Sequence, residues 1–197
     1  INNITRRILS YYFEIIKKAL KENAQVLVML PEKGLSEQIA EIFKSFFNYQ
    51  PAIWHSGIKD KDKKKIWKGV FKNKIKLVLG ARSAMFLPFQ KLKLIIIDEE
   101  HDGSYKQDEG ICYNARDMSI LMASIEKFPI YLVSATPSVE TYNNVEQKKY
   151  NSFNLTTRYN ESELPIIQTV KLNRDNISDN NFLSDKITND VKAYLKS

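Results

Sequence analysis

An α/β fold built on a mainly parallel sheet is the class this sequence predicts, and three observations predict it. Short apolar runs rich in β-branched residues, without polar alternation, occur at 25–30, 75–79, 94–97 and 130–133. Runs of that kind suit strands buried on both faces. Longer segments with apolar residues at helical spacing lie between them, as at Ile39, Ile42, Phe43 and Phe46. The two patterns alternate from residue 25 to 148, which argues for helical crossovers covering both faces of one sheet in three layers.

The elements follow in order. Residues 5–21 read as an amphipathic helix, with Ile8, Tyr12, Ile15, Ile16 and Leu20 recurring at helical spacing. Residues 25–30 read as a buried strand that enters the turn Pro31-Glu32-Lys33-Gly34, with Ser36 or Glu37 starting a helix to Phe47. Ala52-Ile53-Trp54 is a short strand ending in His55-Ser56-Gly57. From Lys59 to Lys76 there are nine lysines and two aspartates, with Ile66, Trp67 and Val70 as a narrow apolar stripe, so a basic surface helix is expected. Such a run is a solvated face or a phosphate contact, and steep salt dependence would mark the second. Residues 75–79 form the next strand, and Gly80 lets the chain turn sharply before Arg82 and Ser83. Residues 115–128 read as a helix with Met118, Leu121, Met122 and Ile125 facing inward, and 130–134 as the fifth strand. A helix follows over 139–150, then strand candidates at 151–157 and 166–172, a polar stretch at 173–181, and a last helix over 183–196.

Chemistry concentrates where the strand at 94–97 runs into Asp98, Glu99, Glu100 and His101. Ligands of open α/β sheets bind beyond the carboxyl ends of the strands. Two acids at such an edge can hold Mg²⁺ through water and orient a water against a phosphate. The plainer reading is a solvated acidic turn. The strand at 130–133 ends in Ser134-Ala135-Thr136-Pro137-Ser138.

An Asp-Glu-x-His strand end followed by Ser-Ala-Thr resembles motifs II and III of superfamily 2 helicases. The longer runs 98–110, 113–117 and 134–141 resemble the PriA family of replication-restart helicases, over about residues 12–172. That resemblance implies a RecA-like ATPase lobe over 1–150, and a C-terminal appendage over 151–197 leading towards a zinc-binding region and a second lobe. It implies Mg²⁺ and ATP as cofactors, with Asp98 positioning Mg²⁺, Glu99 orienting the attacking water, and His101 passing the nucleotide state to Ser134 and Thr136. DNA-binding or coupling roles fall on Pro31, Glu32, Gly34, His55, Arg82, Ser83, Tyr105, Lys106, Tyr113 and Arg116. Arg82 and Ser83 are expected to face the DNA backbone. Tyr105 and Tyr113 are expected to stack on bases at about 1–3 kcal/mol each. The sequence departs from the family at the phosphate loop: Thr5, Arg6 and Arg7 stand in place of the glycine-rich turn, and Ile8 and Leu9 in place of its Lys and Thr.

Composition narrows the classes. The 197 residues suffice for one good core, and 43% hydrophobic content excludes a disordered chain. No apolar run reaches the ~20 residues of a membrane span, and the opening residues lack a signal-peptide layout. The one cysteine, Cys112, leaves no internal disulfide and no cysteine-based zinc site, in keeping with a cytoplasmic protein. A net charge of +7 favours a polyanionic partner weakly, because 24 of the 30 basic residues are lysine in a chain rich in Asn and Ile. The expected partners are single-stranded or forked DNA, separately encoded helicase parts and primosome proteins, with no membrane. Three classes stay open: a helicase fragment without full ATPase activity of its own, a non-enzymatic DNA-binding remnant, and a decaying reading frame.

Overall fold

The computed structural model describes residues 3–154 and 184–195. The chain divides into two compact units, residues 1–156 and 157–197.

The first unit is a five-stranded parallel sheet in the order β2-β3-β1-β4-β7. Its strands are β1 (Gln25–Met29), β2 (Ala52–Trp54), β3 (Leu77–Gly80), β4 (Leu92–Asp98) and β7 (Ile130–Val133). The two-residue strands β5 (Lys106–Gln107) and β6 (Tyr113–Asn114) form a separate antiparallel ribbon. The helices are α1 (Asn3–Lys21), α2 (Glu37–Phe47), α3 (Asp60–Phe71), α4 (Ala115–Glu126) and α5 (Val139–Glu146). After β1 the chain winds outward through β2 and returns to β3, then crosses to β4 on the other side of β1. The reversal of direction beside β1 opens a crevice at the carboxyl ends of β1 and β4.

Alternate strand residues feed two cores. Val26, Val28, Leu77, Leu79, Leu94 and Ile96 pack with Phe13 and Ile16 of α1 and Phe43 of α2. Leu27, Met29, Val78, Ile95 and Ile97 pack with Val70 of α3, Met85, and Ala115 and Ala123 of α4. The sheet therefore carries α1 and α2 on one face and α3 and α4 on the other, the expected three-layer fold.

The helix starts and stops have local causes. Ser36, Asn114 and Ser138 cap α2, α4 and α5 by accepting the N–H of Ile39, Arg116 and Thr141. Asn48 closes α2 in the left-handed region, and Lys127 does the same for α4.

Gly80 turns out to be required by close approach rather than by an unusual φ. A β-carbon there would collide with Ala84 Cβ and lie 3.3 Å from the carbonyl of Trp54. The inward face expected for α4 is corrected. Met118, Leu121 and Ile125 are exposed, and the buried positions are Ala115, Arg116, Ser119 and Ala123. Small residues one turn apart let the helix lie close on the strands; of the four residues expected inward, Met122 packs against the core and the other three are left outside. Residues 151–154 are not strand. The expected strand at 166–172, the polar stretch at 173–181 and the rest of the first strand candidate lie outside the described residues.

In the second unit, α6 (Asp185–Tyr194) is capped by Ser184, which accepts the Ile187 N–H. Val191 and Leu195 of this segment are exposed.

Candidate functional site

Because all five strands are parallel, their carboxyl ends lie along one edge. Pro31 follows β1, His55 follows β2, Arg82 and Ser83 follow β3, Asp98 to His101 end β4, and Ser134 to Thr136 follow β7. The fold thus gathers most of the residues singled out in the sequence.

The β4 end is sharply shaped. Asp98 is half-buried at the last strand position, Glu99 is exposed with φ +48°, and Glu100 is buried. Their side chains diverge because the left-handed residue reverses the chain. The Asp102 N–H then donates to the Glu99 carbonyl at 2.8 Å and closes the turn. His101 Nδ1 lies 2.7 Å from Ser134 Oγ and 3.6 Å from Glu99 Oε2. Its Nε2 lies 3.4 Å from Thr136 Oγ1, and Ser134 Oγ accepts the Thr136 N–H at 3.0 Å. One imidazole therefore reaches both hydroxyls beyond β7 and lies beside Glu99 at the end of β4.

Glu100, given no role of its own in the sequence, anchors this corner. Its carboxylate accepts the Ser138 N–H at 2.7 Å, the Ser138 hydroxyl at 3.1 Å, the Thr141 hydroxyl at 3.0 Å and Arg116 Nη1 at 3.0 Å. Arg116 also donates to Ser138 Oγ at 2.8 Å and, through Nε, to Asp117 at 2.8 Å. Burial pushes the Glu100 carboxyl up, but the Ser138 backbone N–H, with Thr141, Arg116 and the Ser138 hydroxyl, outweighs it. The group is held below the usual carboxylate range and stays ionised. Only the buried position of Arg116, paired with an acid 16 residues earlier, separates this network from an ordinary capping serine.

Tyr105 corrects a second expectation. Its ring is 1% exposed, so it has no face to offer a base. Its hydroxyl donates to the carbonyls of Asp98 at 2.6 Å and Met29 at 3.2 Å. Burial, with the charges of Asp98, Asp102 and Glu99, pushes the phenol far above its usual range, so it stays a neutral donor. The tyrosine ties the end of β4 to the end of β1, the two strands flanking the crevice.

Arg82 spends Nη1 on the carbonyls of Lys106 at 2.8 Å and Ser104 at 3.3 Å, holding the loop after β4. Ser83 Oγ accepts the Trp54 indole N–H at 3.1 Å. His55 Nδ1 accepts the Gly57 N–H at 3.2 Å and forms its own local turn. Tyr113 is half-buried and packs edge-on against Phe86, with centroids 5.0 Å apart. Lys106 is exposed and paired with Asp108 at 2.9 Å. Glu32 and Gly34 lie in a single 3₁₀ turn opened by Pro31. The segment 5–9, expected in place of a phosphate loop, is helical and part of α1. No group of three or more His, Cys, Asp or Glu side chains among the described residues could hold a metal ion.

Residues 8–145 match the DEAD/DEAH box helicase family, and the chain belongs to that family. Within it, the chain is similar to the replication restart protein PriA of Rickettsia conorii, with 46% identity over 93% of this chain and 28% of that protein. It is 37% identical to PriA of Haemophilus influenzae over 94% of this chain and 25% of that protein. With PriA of Bacillus subtilis it shares 37% identity over 83% of this chain and 20% of that protein. The chain thus spans between a fifth and a third of the length of these relatives.

Proposed function

We propose that this chain is the first motor lobe of a PriA-type, ATP-dependent 3′→5′ DNA helicase acting in primosome assembly and replication restart in the cytoplasm. The observation that carries the reading is the His101 bridge. It places one ring beside Glu99 at the end of β4, where phosphate chemistry is expected, and in contact with Ser134 and Thr136 at the end of β7. In this reading a movement of Glu99, 3.6 Å from His101 Nδ1, would pass to Ser134 through that ring.

In this reading Asp98 holds a water-coordinated Mg²⁺ and Glu99 orients the attacking water. These carboxylates fit a metal held largely through water. The described residues do not fit the triphosphate. The segment in place of the phosphate loop is helix, and residues 5–9 hold no glycine, so no turn of backbone N–H groups is presented there. We therefore assign this lobe the DNA contacts and the relay, and place completion of ATP turnover on separately supplied parts. DNA is expected along the strand ends, against the turn at 31–34, His55, Ser83, and the loop from Lys106 to Tyr113. Tyr105, Arg82 and Arg116 hold these elements in place as coupling residues rather than touching bases.

The test is equilibrium binding of a fluorescent ATP analogue with Mg²⁺, with and without a single-stranded oligonucleotide. We expect oligonucleotide binding with a log–log salt slope of a few units and no nucleotide binding up to millimolar concentrations. DNA-stimulated ATP turnover lost on Asp98→Asn would overturn the assignment of turnover to other parts. Failure to bind any oligonucleotide would overturn the assignment of DNA contacts.

A further inference from the structure

The helix α3 carries two large aromatic residues that the fold does not use. Val70 is fully buried and Ile66 packs beside it, so the core-facing stripe is already complete. Trp67 and Phe71 lie off that stripe, 46% and 49% exposed, one helical turn apart. Their rings are stacked, with centroids 5.7 Å apart and planes 16° from parallel. They sit among Lys61, Lys64, Lys65, Lys68 and Lys72. Stacking on each other gains a little stability, yet it leaves roughly half of each residue open to solvent.

Beside Trp67 is a cavity of about 200 Å³ lined by Trp54, Lys63, Lys64, Trp67 and Lys68. It is smaller than the ~300–1,000 Å³ of a pocket that swallows a whole small ligand, and it has room for one flat ring. Lys63 is committed to the Ser56 carbonyl at 3.1 Å and faces Asp60 at 4.0 Å. Lys64 and Lys68 make no ion pair or side-chain hydrogen bond among the described residues. One lining residue reaches the strand-end edge: Trp54 ends β2 and donates its indole N–H to Ser83.

We propose that α3 is a stacking site for single-stranded nucleic acid, in which one base enters between Trp67 and Trp54 and its flanking phosphates meet Lys64 and Lys68. Aromatic faces take any base, and lysines take the backbone without reading sequence, so the site holds a strand without selecting one. A strand lying along the β2 and β3 ends reaches it past Trp54. The site does not depend on the motor reading for its chemistry, because it needs no nucleotide. An acidic peptide would satisfy the lysines, but it would not require a flat ring beside Trp67, and the experiment separates the two.

The experiment is fluorescence anisotropy of labelled oligo(dT), and of an abasic deoxyribose-phosphate strand of the same length, over a salt series with the whole chain. Trp67→Ala is expected to weaken oligo(dT) binding by about tenfold and to leave the abasic strand unchanged. Trp67→Phe should stay within about twofold. Lys64→Gln with Lys68→Gln should weaken both strands and lower the log–log salt slope by about 1.4, at ~0.7 for each lost single-strand phosphate contact. In Trp54→Phe, where Trp67 is the one remaining indole, oligo(dT) should quench emission and the abasic strand should not. Equal oligo(dT) affinity in Trp67→Ala and wild type overturns the proposal, as does equal quenching by both strands. A wild-type chain that binds no oligonucleotide overturns this site and the strand-end DNA contacts together. Binding that ignores Trp67 overturns this site alone.

Discussion

Two buried polar hubs stand at opposite ends of the sheet, and they are built on different rules. At the amino end of β1, Gln25 is fully buried. Its Nε2 donates to the carbonyls of Val70 and Ile75, both at 2.9 Å. Its Oε1 accepts the N–H groups of Gln90 at 2.8 Å and Lys91 at 2.9 Å. Every partner is backbone, no charge is involved, and the amide's four bonds are all made. At the carboxyl end, Glu100 is charged and most of its partners are side chains: Arg116, Ser138 and Thr141. A hub of backbone bonds fixes the end of α3, the entry to β3 and the entry to β4 whatever side chains surround it. A hub of side-chain bonds around a charge can be rearranged by rotamer changes or by protonation, and it sits next to the residues assigned to nucleotide chemistry.

The most disruptive test of that contrast is Gln25→Leu. It strands the Ile75 carbonyl and the N–H groups of Gln90 and Lys91 at about 1–3 kcal/mol each, while the Val70 carbonyl keeps the Asn73 N–H at 3.0 Å. A total of about 4 kcal/mol is a large share of the stability of a domain this size. Urea unfolding should show loss of a cooperative transition or a much lower midpoint. A loss under about 1 kcal/mol would mean that water replaces the amide and that the two hubs are alike. Glu100→Ala comes next. It leaves Arg116 buried beside an empty site, at about 3 kcal/mol, read by the same unfolding curves. A smaller loss there than in Gln25→Leu is the expected ranking.

Acid sharpens the comparison further. The Glu100 carboxyl is held below its ordinary value of 4.5, so its contribution is fully present above that value. The contribution is lost as pH falls through the lowered folded value. Melting temperatures of wild type and Glu100→Gln should therefore differ most near neutrality and converge below about pH 4.5. A gap that persists unchanged to low pH would show that the charge is not what the hub uses. Gln25 has no titrating group, so its variant should show no such convergence. The smallest effect is expected for Ser138→Ala, which removes the α5 cap and one donor to Glu100 for about 1 kcal/mol.

Much of the fold was legible because burial on both sides leaves a plain mark. The runs at 25–30, 75–79, 94–97 and 130–133 are the four longest strands of the parallel sheet, and the helices between them keep their spacing. What sequence could not give was which face of a helix meets the sheet when both faces carry apolar residues. In α4 the larger residues Met118, Leu121 and Ile125 read as the core stripe, while the close approach is made by Ala115, Ser119 and Ala123. Tyr105 failed for a related reason. The resemblance implied a ring open to a base, and its burial involves Met29, 76 residues away. The strand-end acids and His101 were legible as a local string. The Glu100 hub was not, because its partners lie 16, 38 and 41 residues further on.

The left-handed backbone at Glu99 has a consequence for how this sequence would drift. A non-glycine residue at φ +48° carries a conformational cost of about 1 kcal/mol that glycine would not. Glu99→Gly is therefore expected to raise the melting temperature while deleting an exposed carboxylate that packs against nothing in the core. A laboratory population selected only for heat resistance would lose this acid early. If Glu99 orients water on a phosphate, as proposed, a population selected for that work would keep it at a standing disadvantage in stability. Sequencing position 99 after each regime would show which of the two histories the present residue belongs to.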